Sequence, residues 1–138
     1  MNLPPEGIEA YLSAIDGADV VVAPPFVYLK DVVARAPDGV AVGAQNCGDQ
    51  KAGAFTGEVS VGMLRDCGAR FVIVGHSERR TLYGEDDARI ARKLALVIEA
   101  GLTPVLCIGE NQQQRDGGHA PTFCSGQLQA AAIPQLAN

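Results

Sequence analysis

The feature that most constrains the fold is an alternation of short, almost purely apolar segments with segments of helical period. The apolar segments lie at residues 20–23, 40–44, 71–74 and 104–108. None alternates polar with apolar residues, which predicts strands buried on both faces, as in a parallel sheet. We therefore expect about four parallel strands joined by helices through right-handed crossovers.

Between these segments, apolar residues recur at intervals of three and four, which predicts helices. The apolar sets are Ile8, Tyr11, Leu12 and Ile15; Leu29, Val32 and Val33; Met63, Leu64 and Cys67; Ile90, Leu94, Val97 and Ile98; and, more weakly, Leu128, Ala131 and Ala132. Ser60 is expected to cap the third helix at its start, and Gly68 to end it. On the fourth helix we expect Arg89, Arg92 and Lys93 to lie on the exposed side.

Two architectures fit this order, a doubly wound open sheet and a (β/α)8 barrel. The doubly wound sheet binds phosphates at a glycine-rich first turn. Neither a GxGxxG turn nor a P-loop is present in the sequence. Instead, turn-forming and polar residues follow the strands, at 24–25, 45–46, 75–78 and 109–111. Functional side chains at the carboxyl ends of several strands are typical of the barrel.

Composition excludes several classes of protein. The 138 residues are 47% hydrophobic and 20% charged, which predicts one globular domain spanning 1–138. The net charge is −5, without a basic stripe, so we expect no nucleic acid partner. The four cysteines form no CxxC pair, which favours a reducing compartment without disulfides or a zinc site. With neither a signal peptide pattern nor a long apolar run, we expect a cytoplasmic protein without a membrane partner.

The densest chemical cluster is GHSERR at residues 75–80, directly after the third apolar segment. It places His76 where a strand ends and a helix begins. Backbone N–H groups at a helix N-terminus disfavour an imidazolium ion. His76 is therefore either a capping residue or a neutral imidazole that donates a hydrogen bond to a substrate carbonyl.

The segment GDQKAGAFTG at 48–57 is longer than a typical connection between a strand and a helix. Its one aromatic residue, Phe55, is expected to be exposed. The segment is either a mobile surface loop or a loop that contacts a second subunit, since an apolar tip is unfavourable in water.

Seven segments occur in one order at compatible spacing: VVAPPF (21–26), GAQNC (43–47), GAFTGE (53–58), VGHSERR (74–80), GE (84–85), EAGL (99–102) and CIGE (107–110). Together they closely resemble the triosephosphate isomerase family, over nearly the whole chain. The resemblance implies part of a (β/α)8 TIM barrel, roughly from its first to its fifth helix. It also implies a homodimer that interconverts dihydroxyacetone phosphate and glyceraldehyde 3-phosphate in glycolysis and gluconeogenesis, through an enediolate and with no metal or organic cofactor.

The resemblance assigns roles to the residues of the matching motifs. His76 matches the electrophilic histidine, and this family is itself the standard example of a neutral histidine beside a glutamate base. Ser77 and Glu78 match supporting positions, Ser77 near the base and Glu78 beside the catalytic lysine. Cys107 matches a buried cysteine near the base, and Glu85 a member of an ion network. The matching interface positions are Thr56, Phe55, Glu58, Gln45, Asn46 and Arg79.

Three elements of the family pattern are not found in the sequence: the lysine that would stand before Met1, the glutamate base with its lid, and the glycine-rich phosphate site of the last two units. We therefore expect the chain alone to be inactive, with open strand edges that aggregate or bind a complement. Two alternatives stay open. One is a non-catalytic module or pseudoenzyme, and the other is a different isomerase with Glu110 as its base. His119 is expected to be a solvated loop residue.

Overall fold

The computed structural model describes residues 4–15 and 19–131. The elements in chain order are α1 (Gly7–Ser13), β1 (Val20–Val22), a 3-10 helix (Phe26–Tyr28), α2 (Leu29–Arg35), β2 (Val40–Ala44), α3 (Val61–Asp66), β3 (Phe71–Val74), α4 (Ser77–Tyr83), α5 (Asp87–Glu99), β4 (Thr103–Leu106), α6 (Gln112–Asp116) and α7 (Ala120–Ala131). Helices therefore lie between all successive strands as predicted, but two consecutive α-helices rather than one follow β3 and β4.

The four strands form one sheet in the order β1-β2-β3-β4, and every neighbouring pair is parallel. The prediction of four parallel strands with intervening helices is confirmed. The bounds of β2 and β3 coincide with the apolar segments 40–44 and 71–74. The fourth strand lies slightly earlier than predicted, and its last residue is Leu106, so Cys107 and Ile108 follow the strand.

The register displaces β3 and β4 along the strand direction relative to β1 and β2, because β1 starts level with β2 and β3 starts level with β4. Val21 pairs with Ala41, Gly43 with Phe71, and Phe71 with Thr103. When these pairings are extended across the sheet, the position level with Val21 on the fourth strand is residue 101, which lies two residues before β4 begins. Such a stagger is what tilted strands need in order to close into a barrel.

The two faces of the sheet differ in burial. Val72 and Val74 are buried on the face that carries the helices, and they pack into one core with Ile90, Leu94 and Val97 of α5. On the opposite face Val21 and Val105 are 45% and 41% exposed. The prediction that the strands are buried on both faces is therefore wrong for the described residues, where helices cover one face only.

The predicted ends of α3 are confirmed. The Oγ atom of Ser60 accepts a hydrogen bond from the N–H of Met63, at 3.3 Å. Gly68 follows the helix with φ +94°, a conformation that L side chains rarely adopt. A Cβ atom at that position would lie 2.7 Å from Val33 Cγ1, so close packing against α2 also requires glycine.

Two predictions about helix faces are wrong. Lys93 is not on the exposed side of α5 but fully buried, because its ammonium group has two partners inside the structure. On α7, Leu128 is 50% exposed, whereas Gln127 is buried. Gln127 turns inward because its Oε1 atom accepts a hydrogen bond from the N–H of Gly109, at 2.8 Å. Ala131 is buried as expected, and Ala132 lies outside the described residues.

Candidate active site

The carboxyl ends of the four strands lie at one edge of the sheet, because all the strands are parallel. Gln45, His76 and Cys107 follow β2, β3 and β4 at this edge, which we call the rim. The side chain of Gln45 bridges two strand ends, since its Nε2 donates to the carbonyl of Ala23 at 2.9 Å. The rim is thus a continuous surface built from consecutive strand–helix connections.

Gly75 makes the sharp turn that places His76 on the rim. It is buried and has φ +77°. A Cβ atom there would lie 3.2 Å from both the carbonyl oxygen of Cys107 and the Cδ1 atom of Ile90. Backbone conformation and packing therefore both require glycine at this position.

His76 caps α4 through one of its ring nitrogens. Its Nδ1 accepts a hydrogen bond from the N–H of Glu78, at 3.3 Å. An accepting Nδ1 carries no proton, so a neutral ring has its proton on Nε2. The side chain is 48% exposed, and among the described residues nothing bonds to Nε2. The capping interpretation is thus confirmed, and it leaves Nε2–H free as a donor.

The two predicted supporting residues lie beside His76 but differ in their contacts. Ser77 is the first residue of α4 and is exposed. The side chain of Glu78 is 74% exposed, with Oε2 3.8 Å from the Nδ1 atom of His76. No lysine of the described residues pairs with Glu78, so its predicted role beside a lysine stays a prediction.

A buried polar cluster lies near the rim and contains Glu85, for which the resemblance implied an ion network; Lys93 at its centre was not expected. We call it the Lys93 cluster: Lys93, Glu85, Asn46 and Arg79. The Nζ atom of Lys93 lies 2.5 Å from Glu85 Oε1 and 2.8 Å from Asn46 Oδ1. Arg79 Nε donates to the same Glu85 oxygen at 2.6 Å. The cluster therefore joins α4, α5 and the residue after Gln45.

The charges of the cluster stabilise one another. Burial of Glu85 acts to raise its pKa, but hydrogen bonds from Lys93 and Arg79 outweigh burial and hold the pKa below its ordinary value. The other Glu85 oxygen is buried without a partner among the described residues.

Cys47 follows Asn46 and is completely buried, and this burial raises the pKa of its thiol to about 11.

The loop after β2, which we call the 48–59 loop, is exposed at its tip and fixed at its base. The N–H of Gly48 donates to the carbonyl of Val59 at 2.8 Å, which closes the loop. Asp49 accepts from Arg92 of α5 at 3.0 Å, and Arg89 lies 3.4 Å away. Burial acts to raise the pKa of Asp49, but these two arginines lower it overall.

The predicted interface residues fall into three groups. Phe55 and Thr56 lie on the exposed tip, where Phe55 is 48% exposed, whereas Glu58 is exposed beside Gly48 at the base of the loop. Asn46 and Arg79 belong to the Lys93 cluster, and Gln45 lies on the rim. The expected exposure of Phe55 is confirmed, and the interface role of all six residues stays a prediction.

The carboxylate after β4 is already engaged in the structure. Glu110 accepts from Arg115 Nε at 2.8 Å and from the Cys124 thiol at 3.5 Å. A backbone hydrogen bond and Arg115 lower the pKa of this carboxyl. These features disfavour Glu110 as a base. Cys107 is half-buried rather than buried as the resemblance implied, and this partial burial raises the pKa of its thiol against the opposing charge of Arg80. His119 is exposed just before α7, as predicted.

Two further features of the described residues concern metal ions and membranes. In residues 4–15 and 19–131, no three histidine, cysteine or acidic side chains are grouped so that they could hold a metal ion. Within the same part of the chain, no helix has the length and apolar character needed to cross a membrane. All four cysteines are free thiols.

Comparison with known proteins links this rim to one family. The family model described as triosephosphate isomerase matches residues 6–137. The relative from Alcanivorax borkumensis, named triosephosphate isomerase, is 49% identical over 125 residues, which cover 91% of this chain and 51% of the relative.

Two further relatives of the same name show the same partial coverage. The Erwinia tasmaniensis protein is 45% identical over 135 residues, covering 96% of this chain and 52% of the relative. The Serratia proteamaculans protein is 49% identical over 125 residues, covering 90% and 49%. The chain thus spans about half the length of the curated relatives it matches. Since the family match extends over almost every residue and includes the turn that carries His76, the chain belongs to the triosephosphate isomerase family.

Proposed function

We propose that the chain supplies the electrophilic histidine of an enzyme that interconverts dihydroxyacetone phosphate and glyceraldehyde 3-phosphate. In this reaction a proton moves between adjacent carbons, and the carbonyl oxygen gains negative charge as the enediolate forms. A hydrogen-bond donor fixed beside that oxygen stabilises the transition state. The single observation that supports the proposal is the hydrogen bonding of His76: Nδ1 is occupied by Glu78 N–H, while Nε2 has no partner among the described residues and the side chain is 48% exposed.

The reaction also needs a base that removes the proton from carbon, and neither carboxylate that follows a strand at the rim suits this role. Glu78 lies beside Nδ1, on the side of the imidazole away from the free Nε2–H. Glu110 is paired with Arg115. General-base catalysis typically contributes about 10²–10⁴-fold. We therefore expect no measurable isomerisation of glyceraldehyde 3-phosphate by the 138-residue chain on its own.

The 48–59 loop supports a second part of the proposal, a homodimer. Its exposed tip carries Phe55 and Thr56, and its base is held to α5 through Asp49. A loop fixed in this way is preorganised to insert between subunits, because little conformational entropy remains to be lost on binding. We place the complete enzyme in glycolysis and gluconeogenesis in the cytoplasm, as its family relationship implies.

The proposal is tested in a chimera, in which residues 6–137 replace the matching segment of the Alcanivorax borkumensis relative. We expect the chimera to isomerise glyceraldehyde 3-phosphate. His76→Gln in the chimera should lower kcat by about 10²-fold or more, since removal of one preorganised donor typically has that effect. His119→Gln is the matched control, because it changes the other, exposed histidine, and should leave kcat unchanged.

Two results would contradict the proposal. Undiminished turnover in the His76→Gln chimera would leave His76 with its capping role alone. A folded chimera that binds but does not turn over substrate would instead favour the non-catalytic module.

A further inference from the structure

We propose that Arg80 is a positioning residue that holds His76 in its orientation by fixing the carbonyl group of Gly75. The inference rests on the proposed function, since it assumes that the direction of the His76 ring matters. Arg80 does not face the rim itself. It lies in the middle of α4, and its side chain is only 18% exposed.

The guanidinium group of Arg80 joins two elements behind the His76 turn. Its Nε donates to the carbonyl oxygen of Gly75 at 2.9 Å, and its Nη1 donates to Asp87 Oδ1 at 2.6 Å. Asp87 is the first residue of α5, so the guanidinium is held from the opposite side. Hydrogen bonds from a charged donor are stronger than those between neutral groups. The end of β3 is thereby fixed relative to α5.

The fixed carbonyl controls His76 through covalent geometry. The Gly75 carbonyl belongs to the planar peptide unit that leads into His76, so holding its oxygen orients the whole unit. Glycine has more backbone freedom than any other residue type, and Gly75 is held here at φ +77°. Without the Arg80 contact this turn would sample other conformations, and the distance between His76 Nδ1 and the N–H of Glu78 would vary.

Arg79 provides a matched control within the same helix. It is also partly buried and ion-paired, but its Nε donates to Glu85, and its guanidinium lies 4.5 Å from the ring centroid of Tyr83. It makes no hydrogen bond to Gly75 among those of the described residues. A change at Arg79 therefore disturbs a buried ion pair of α4 without releasing the Gly75 carbonyl.

The test is side-chain nitrogen NMR on the 138-residue chain. The sequence contains only two histidines, so His119 serves as an exposed internal reference. In the unmodified chain we expect His76 to show the Nε2–H tautomer alone, and His119 to show averaged signals. In Arg80→Met the nitrogen shifts of His76 should move most of the way to those of His119. In Arg79→Met they should stay unchanged, and backbone amide spectra report whether each variant is folded.

Milder variants keep the inference testable if Arg80→Met does not fold. Arg80→Lys retains one positive charge but has a single nitrogen for two partners, so we expect an intermediate shift. Asp87→Asn leaves the Gly75 contact in place and should give a smaller shift than Arg80→Lys. A fixed His76 tautomer in a folded Arg80→Met or Arg80→Lys chain would overturn the inference.

The same data separate this inference from the proposed function. A fixed tautomer that persists in the Arg80 variants refutes only the role of Arg80. A fixed tautomer that depends on Arg80, together with an active His76→Gln chimera, refutes only the catalytic role of His76. Averaged His76 signals in the unmodified chain would overturn the inference directly, because there would be no orientation for Arg80 to hold.

Discussion

Replacing Lys93 with methionine tests the most unexpected feature of the structure, a lysine at the centre of the core. Methionine retains the apolar stem of the side chain, so the packing of α5 is largely preserved. What is lost is the ammonium group and its contacts to Glu85 Oε1 and Asn46 Oδ1. The substitution therefore isolates the electrostatic contribution of the Lys93 cluster from hydrophobic packing.

The expected loss follows from the partners that remain. Removing one member of a buried ion pair typically costs about 3–5 kcal/mol, because an uncompensated charge stays in the core. Glu85 retains Arg79 at 2.6 Å, which places the loss near the lower limit. Asn46 loses a donor while only 8% exposed, which adds to the loss. We expect the free energy of unfolding to fall by about 3 kcal/mol.

Urea unfolding followed by circular dichroism measures this change, and α5 offers a neighbouring control. Arg92 pairs with Asp49, but its side chain is 54% exposed, so solvent screens the pair. Arg92→Met should therefore cost less than about 1 kcal/mol. In the double variant Lys93→Met/Glu85→Gln the buried carboxylate that has lost Lys93 is also neutralised, and we expect part of the stability to return, less the contribution of the Arg79–Glu85 pair. Residues of one network are expected to be non-additive in this way.

Equal, small losses for Lys93→Met and Arg92→Met would refute the reasoning, since they would mean that Lys93 is as well solvated as Arg92. Strict additivity in the double variant would refute it separately. In that case the loss in Lys93→Met would come from packing, and the charge left on Glu85 would have no effect.

The two remaining predictions concern pH and reactivity. The pKa of Glu85 is lower in the folded chain than its ordinary value of 4.5. Its contribution to the free energy of unfolding is therefore complete above pH 4.5 and is lost as the pH falls through the folded pKa. The urea midpoint of the unmodified chain should fall as the pH is lowered below 4.5, and it should fall less in Glu85→Gln. The same pH dependence of the midpoint in both proteins would contradict this prediction. With its pKa at about 11 and no exposed surface, Cys47 should escape alkylation by iodoacetamide at neutral pH in the folded chain. Peptide mass spectrometry checks this, and labelling of Cys47 as fast as in urea would contradict it.

The strands were predictable because their signal is local. Runs such as 40–44 and 71–74 contain only apolar residues and glycine, and few structures other than a buried strand accommodate so short a run. The turn after β3 was predictable for a similar reason, since glycine, histidine and serine in succession combine a turn with a helix start. His76 lies at the rim, as this pattern indicated.

The ion network around Glu85 was implied by the resemblance, but the buried position of Lys93 was missed because residue type was weighed above position. Ile90, Lys93, Leu94 and Val97 follow the spacing of a buried helix face, and all four are buried. A charged residue on such a face indicates a buried partner. One partner, Asn46, is 47 positions away, and local sequence patterns do not show contacts over that separation. Gln127 was missed for the same reason, since its inward orientation depends on the backbone N–H of Gly109.

The error about the strand faces has a different origin, and it limits what apolar runs can predict. A run without alternation shows that both faces of a strand avoid water in the native assembly, but it does not identify what covers each face. Here helices cover the face of Val72 and Val74, whereas Val21 and Val105 stay nearly half exposed on the other. The stagger between β2 and β3 is of the kind that tilted strands need for barrel closure. Unalternating apolar runs and a staggered register are both typical of barrel strands, so residue type and strand register support the barrel architecture independently.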